Sequence, residues 1–234
     1  MGISVQIKGA SFTKFIDQQL PYAELAKGFW LLGGNGASTA NNLAPNADVP
    51  TATIVGAPVY GAGYAELTVD DYLDTGIVID TSAAFTMISV ASIATNVRQP
   101  ICGNWHSGIN DTMLDRSPDL RFATRGSGSG VAPIVNADYN KSMFHAGVKG
   151  AGVSTMYLKT AAGMQVSTGT PGFNVVAPNN YRIGPTGGLG LQTSADAQRH
   201  SANLLFDVAL TEQQIEEVYE YLAYQLPKRG VFLL

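Results

Sequence analysis

Hydrophobic and polar residues alternate at the start of the chain. Ile3, Val5 and Ile7 share one face of an extended segment, and Ser4, Gln6 and Lys8 share the other. That two-residue period predicts a half-buried strand over residues 3–12. Residues 13–28 are mixed, with room for a short helical turn. Residues 28–33 (GFWLLG) form an apolar run bounded by glycines and read as a buried strand. Residues 33–51 are dense in Gly, Asn, Ala and Pro and predict a long loop. Strands are expected again at 53–55, 64–69 and 73–79. Residues 84–94 (AFTMISVASIA) are apolar on both faces and β-branched, the signature of a central strand. Further strands are expected at 99–105, 119–125, 131–136, 142–149, 153–159, 164–168, 180–184 and 202–209. Turn signals separate them every 8–12 residues or so, which indicates an all-β sandwich or barrel.

One helix stands out, at 212–226. Thr211 and Gln214 have the spacing of a capping box, and Leu210 and Ile215 that of a hydrophobic staple. Ile215, Val218, Tyr219, Leu222 and Leu226 fall on one stripe, and Pro227 is expected to end the helix. A helix this short must dock on the sheet to persist.

Composition narrows the function classes. Glycine is 26 of 234 residues, above the roughly 7% average, as many tight turns require. Charged residues are 14%, well below the average of about 25%. A surface so poor in charge costs little to desolvate and suits contact area in an assembly, and a plain neutral all-β domain accounts for it equally. The net charge is −4, with no basic stripe, which argues against nucleic acid as a partner. Cys102 is the sole cysteine, so no internal disulfide forms, and its apolar setting reads as a buried core thiol. The N-terminus lacks the pattern of a signal peptide, and no apolar run reaches the ~18 residues of a membrane helix. Synthesis in a reducing cytoplasm is the expectation.

Two resemblances follow from particular residues. Residues 153–159 (VSTMYLK) and 163–166 (GMQV), then 180–184 (NYRIG), then 204–215 (LLFDVALTEQQI) resemble in order the closing strands of the laminin-G-like, concanavalin-A-like jelly-roll superfamily. There the last strand runs directly into a short helix. Residues 28–34 (GFWLLGG), 41–45 (NNLAP), 54–58 (IVGAP), 73–76 (LDTG) and 221–230 (YLAYQLPKRG) resemble jelly-roll modules of tailed-bacteriophage and prophage virion proteins. The resemblance implies a concanavalin-A-like jelly-roll sandwich at 15–234, preceded by a strand or arm at 1–14 that could serve as an assembly contact. It implies a virion component of the tail, baseplate, fibre or capsid surface, assembling with itself and with other virion proteins. The alternative it carries is a carbohydrate-binding adhesin.

Candidate chemistry is sparse. Glycoside hydrolysis needs two carboxylates flanking the bond, and no such array occurs. Asp70, Asp71, Asp115, Glu216 and Glu217 read as solvated carboxylates. His106, His145 and His200 have no nucleophile elbow, and no Walker loop is present. The expectation is therefore a protein that is not an enzyme. No metal-ligand spacing occurs. Calcium is the ion the resemblance implies, and residues 136–140 (NADYN) could donate its oxygens, although a plain turn is the preferred reading of them. For sugar binding, Asn104, Trp105 and His106, with Asp138, Tyr139 and Asn140, combine aromatics with amides in loops. Trp30, inside an apolar strand, is expected to be buried.

Overall fold

The computed structural model describes residues 19–93, 99–104, 112–117, 119–124, 130–134, 140–170, 180–185 and 197–233. In chain order the strands are β1 (Ala26–Leu31), β2 (Thr53–Val55), β3 (Val59–Tyr60), β4 (Ala65–Leu67), β5 (Tyr72–Val78), β6 (Phe85–Ile93), β7 (Gln99–Gly103), β8 (Thr112–Ser117), β9 (Asp119–Thr124), β10 (Gly130–Ile134), β11 (Met143–Lys149), β12 (Ser154–Thr160), β13 (Gly163–Gly169), β14 (Asn180–Ile183) and β15 (Gln198–Phe206). The helices are α1 (Gly36–Ala40) and α2 (Glu212–Gln225). One sheet runs β13-β12-β11-β6-β15-β4-β3, with β1 also paired to β15. The other runs β10-β9-β8-β7-β14-β5-β2, and all described pairings are antiparallel. This is the jelly-roll sandwich the strand pattern predicts.

The doubly apolar segment is central, as expected: β6 lies between β11 and β15. Its Phe85, Met87, Ala91 and Ile93 face the space between the sheets, where they meet Leu73, Ile101, Phe122, Tyr181 and Ile183 of the opposite sheet. Its Ile88 and Val90 face outward, among Phe144, Ala146, Leu204 and Phe206. That outer face is sealed by α2 through Ile215, Val218, Leu222 and Leu226. Each such side chain contributes roughly 1.5–3 kcal/mol when buried. The helix starts as its capping box predicts. Gln214 N donates to Thr211 Oγ1 at 3.3 Å, and Thr211 N donates to Gln214 Oε1 at 2.8 Å. Trp30 is fully buried, its ring over Gly28 and 6.2 Å from that of Tyr181. A Cβ on Gly28 would sit 2.2 Å from the indole, so this position must stay bare.

Several elements differ from the sequence expectation. Residues 36–40 of the expected loop form α1, because Asn35 caps it: Ser38 N donates to Asn35 Oδ1 at 2.9 Å. The polar composition that looked like loop is partly capping chemistry. β3 and β8 were not legible, being short or weakly alternating. β15 begins at Gln198 rather than at residue 202, since Gln198, Arg199, His200 and Ser201 hide its period. The α-helix ends at Gln225, just before Pro227 as expected, but the chain does not leave the helical path there. Pro227 sits in a 3-10 turn, Leu226–Arg229, which closes on Gly230 in the left-handed conformation at φ 78°. Proline is tolerated at the start of a new helical turn, where its missing N–H costs nothing. The strand expected at 3–12 and the arm at 1–14 lie outside the described residues.

Candidate functional site

The described surface has a cleft of about 280 Å³ at one end of the sandwich. Its floor is apolar: Val49, Ile77, Ile79, Ala84, Phe85 and Leu205. Lys27, Asp48, Asp80 and Asp207 stand around it. Four segments converge here, namely the end of β5, the turn into β6, the end of β15 and the loop after α1.

Buried Asn42 shapes that loop. Its Oδ1 accepts from Phe29 N (2.9 Å) and Ala44 N (3.1 Å). Its Nδ2 donates to Lys27 O (3.1 Å) and Val49 O (2.9 Å). All four bonding positions of the amide are spent on backbone, which fixes Val49 and Asp48 against β1. The facing turn is pinned by Lys149, whose Nζ donates to Ala83 O at 2.8 Å and to Ser82 O at 3.4 Å. Burial lowers the Lys149 pKa, and nearby Asp80 partly offsets that. Asp80 Oδ1 accepts from Ser82 Oγ (2.5 Å) and Ser82 N (2.8 Å), an Asx turn. These bonds, the hydroxyl first, hold the Asp80 carboxyl below its usual range, so it stays ionised.

Lys27 Nζ lies 3.3 Å from Asp207 Oδ2 and 3.9 Å from Asp48 Oδ2. All three side chains are well exposed, so the pairs add little stability. Three carboxylates line the rim against the Lys27 ammonium, with Lys149 behind the turn offsetting Asp80, which leaves the rim mildly acidic. Such a rim accepts hydrogen bonds from hydroxyls, and the apolar floor suits the carbon face of a ring.

Of the residues singled out from sequence for sugar binding, the two described ones, Asn104 and Asn140, do not line this cleft. Asn104 is buried, only 1% exposed, directly after β7. Asn140 is exposed in the turn before β11. Trp105, His106, Asp138 and Tyr139 lie outside the described residues, as do 136 and 137 of the possible calcium donors. Among the described residues no group of three His, Cys, Asp or Glu could hold a metal ion. The carboxylates read as solvated are mostly engaged: Glu216 with Lys159 Nζ at 2.7 Å, Glu217 with the Tyr22 hydroxyl at 2.5 Å, and Asp71 with Thr68 Oγ1 at 2.6 Å. Cys102 is the expected core thiol, its pKa pushed up to about 12 by burial. The sequence reading missed the cleft. Its available signals were Asp80-x-Ser82 before a strand, and Asp207, the lone charge in an otherwise apolar run.

No family model and no curated protein sequence matches the chain. Solved structures do. A Trypanosoma rangeli sialidase, in complex with a 2,3-difluoro-KDN ligand, superposes with TM-score 0.61 at 13% identity over 88% of this chain and 34% of its own. The chain thus spans about a third of that sialidase. Domain 4 of AbnA, a GH43 extracellular arabinanase from Geobacillus stearothermophilus, in complex with arabinotriose, gives TM-score 0.63 at 13% identity over 82% of this chain and 97% of its own. A mutant of HCR/D gives 0.59 at 11% identity over 85% and 52%. At such identities the likeness is one of fold alone, a β-sandwich. The expectation that the chain is not an enzyme is corrected here. Chains named as sialidases contain this fold, so the architecture is consistent with a glycosidase-like domain and gives no ground for setting enzymes aside.

Proposed function

We propose that the chain binds carbohydrate through the cleft beside β5. The observation that carries the reading is the pairing of an apolar floor with an acidic, hydroxyl-accepting rim in one cleft of about 280 Å³. The fold shared with an arabinanase domain in complex with arabinotriose supports it. A glycan array followed by calorimetry tests it. Ala83 is exposed at the cleft and its side chain bonds nothing, so Ala83→Trp should fill the cleft and abolish binding at unchanged thermal stability. Full affinity in that variant, or an array without hits, would remove the proposal.

For the biological setting we propose a tailed-phage virion, with the chain assembling with itself and with neighbouring virion proteins and presenting the cleft to a host surface glycan. The virion-module resemblance at 28–34, 41–45, 54–58, 73–76 and 221–230 supports this, as does the low charge content of 14%. A density map of the particle with the chain located in it is the test. Particles lacking the chain would refute it.

A further inference from the structure

The outer face of the seven-stranded sheet carries a second polar cluster, on the same strand as the cleft. Tyr72 and Asp74 of β5, and Asn180 and Arg182 of β14, alternate with buried Leu73, Thr75, Tyr181 and Ile183, and so point outward. The Arg182 guanidinium lies over the Tyr72 ring, 5.1 Å from its centroid. Its Nε lies 3.4 Å from Asp74 Oδ2. Asp74 Oδ1 is occupied separately by Asn180 Nδ2 (2.8 Å) and by Gly76 N (3.1 Å). Arg182 is paired across the strands with Gly103 of β7, so no side chain stands beside it from there.

This cluster fixes one edge of a guanidinium and leaves the other. Stacking and the Nε contact hold the group in place, and both Nη groups make no bond among the described residues. A held guanidinium loses little rotamer freedom when it binds, and its planar fork matches the two oxygens of a carboxylate. The cleft needs no such group, because its rim is acidic and suits neutral hydroxyls. Asp74 and Val78, which lines the cleft, are four residues apart on β5, no more than about 13 Å. An oligosaccharide that bends round the end of β5, from the mouth between the sheets to the outer face, would reach both places.

We propose that Arg182 is an anion-recognition subsite that selects carboxylated sugars in the glycan bound by the cleft, an inference that rests on the carbohydrate-binding reading. The test uses matched uronic-acid oligosaccharides (galacturonate, glucuronate and mannuronate series), each as the free acid and as its methyl ester. The two forms differ only in charge. The full chain should bind the acid of at least one pair about tenfold more tightly than the ester, with a preference that shrinks at high salt. R182Q should equalise the two forms by weakening the acid alone. R182K, which keeps the charge but not the fork, should restore only part of the preference. Equal affinity for acid and ester, or a preference that survives in R182Q, overturns the subsite and leaves the cleft reading standing. Binding of neither form in any pair overturns the subsite, and the cleft reading then stands or falls with neutral glycans on the array. Ala83→Trp separates the two sites further: it should lower affinity for acid and ester alike.

Discussion

The two faces of the eight-stranded sheet are built from the same strands and have opposite characters. On the outer face β6, β11 and β15 present Ile88, Val90, Phe144, Ala146, Leu204 and Phe206, all apolar and all covered by α2. On the inner face the same strands set a polar row into the apolar core formed by Phe85, Met87, Ala91, Ile93, Met143 and Leu205. His145 is paired with Ser89, and Ser89 with Asn203, straight across the sheet. A register shift between His200 and Ala202 brings His200 onto that face as well. From there a chain of contacts crosses the sandwich. Asn203 Nδ2 lies 3.4 Å from His200 Nδ1, His200 Nε2 lies 2.8 Å from Gln198 Oε1, and Gln198 Nε2 donates to Pro100 O of the opposite sheet at 2.9 Å. Because Gln198 donates to Pro100, its oxygen accepts, so His200 carries its proton on Nε2 and accepts at Nδ1. The outer face holds the sheet by area. The inner face adds to its apolar core one directional tie between the sheets, Gln198 to Pro100, which leans on a neutral His200. Both ring nitrogens of His145 are buried without a hydrogen-bond partner among the described residues.

The largest effect that follows is acid lability confined to the inner face. Burial lowers the His145 pKa to about 4, with the Ser89 backbone opposing. Burial, with His145 adding to it, lowers the His200 pKa to about 3. The unfolded chain binds these protons near pH 6.5. The folded values lie below that, so stability is complete above about pH 6.5 and is lost as pH falls toward 4 and 3. Between pH 7 and 5 the two groups together cost roughly 3–4 kcal/mol. Cys102 and Tyr181 share this layer with their pKa values raised, so they stay neutral throughout the window. Denaturant midpoints measured at pH 7 and 5 check the prediction, and His145→Gln should roughly halve the difference. Equal stability at the two pH values would show that the row does not behave as the structure implies.

On the outer face Leu222→Ala should cost about 3 kcal/mol by opening a cavity beneath the helix. Thermal unfolding should fall by roughly 6–12 °C. The loss should be equal at pH 7 and pH 5, because the only titratable groups in that layer's cluster are tyrosines, which stay neutral across that range. A Leu222→Ala loss that grew in acid would break the separation of the two faces.

The outer face was legible in the sequence and the inner face was not. The stripe of α2, its cap at Thr211 and the apolar run of β6 all follow fixed periods, and local periods survive in a single sequence. The inner row depends on register. His145, Ser89 and Asn203 lie in three separate strands, and only the ladder places them side by side. The irregularity after His200 also breaks the alternation that would have announced the start of β15. The cleft was hidden for the same reason. Lys27, Asp48, Asp80 and Asp207 are far apart in the chain and meet only because four connections end at one place. Asn42 belongs to a run that looked like loop, yet it organises that corner through four bonds to backbone.

Asn42→Ala therefore joins the question of stability to that of binding. It should cost about 2 kcal/mol, since it strands buried backbone groups at Phe29 and Ala44. It should also weaken glycan affinity, because Val49 and Asp48 lose their anchor to β1. Neither loss should change between pH 7 and 5.

The smallest effect isolates the outer layer most cleanly. Thr211 is exposed and takes no part in either core; its side chain accepts only from Gln214 N. Thr211→Ala should cost ~1 kcal/mol, and Thr211→Ser should recover most of it. Because the cap acts on α2 alone, its removal should speed amide exchange in the first turn of the helix and leave β15 unchanged. Exchange that spread into Asn203 and Gln198 would mean that the helix supports the inner row through the sheet, and the two faces would then have to be treated as one cooperative unit.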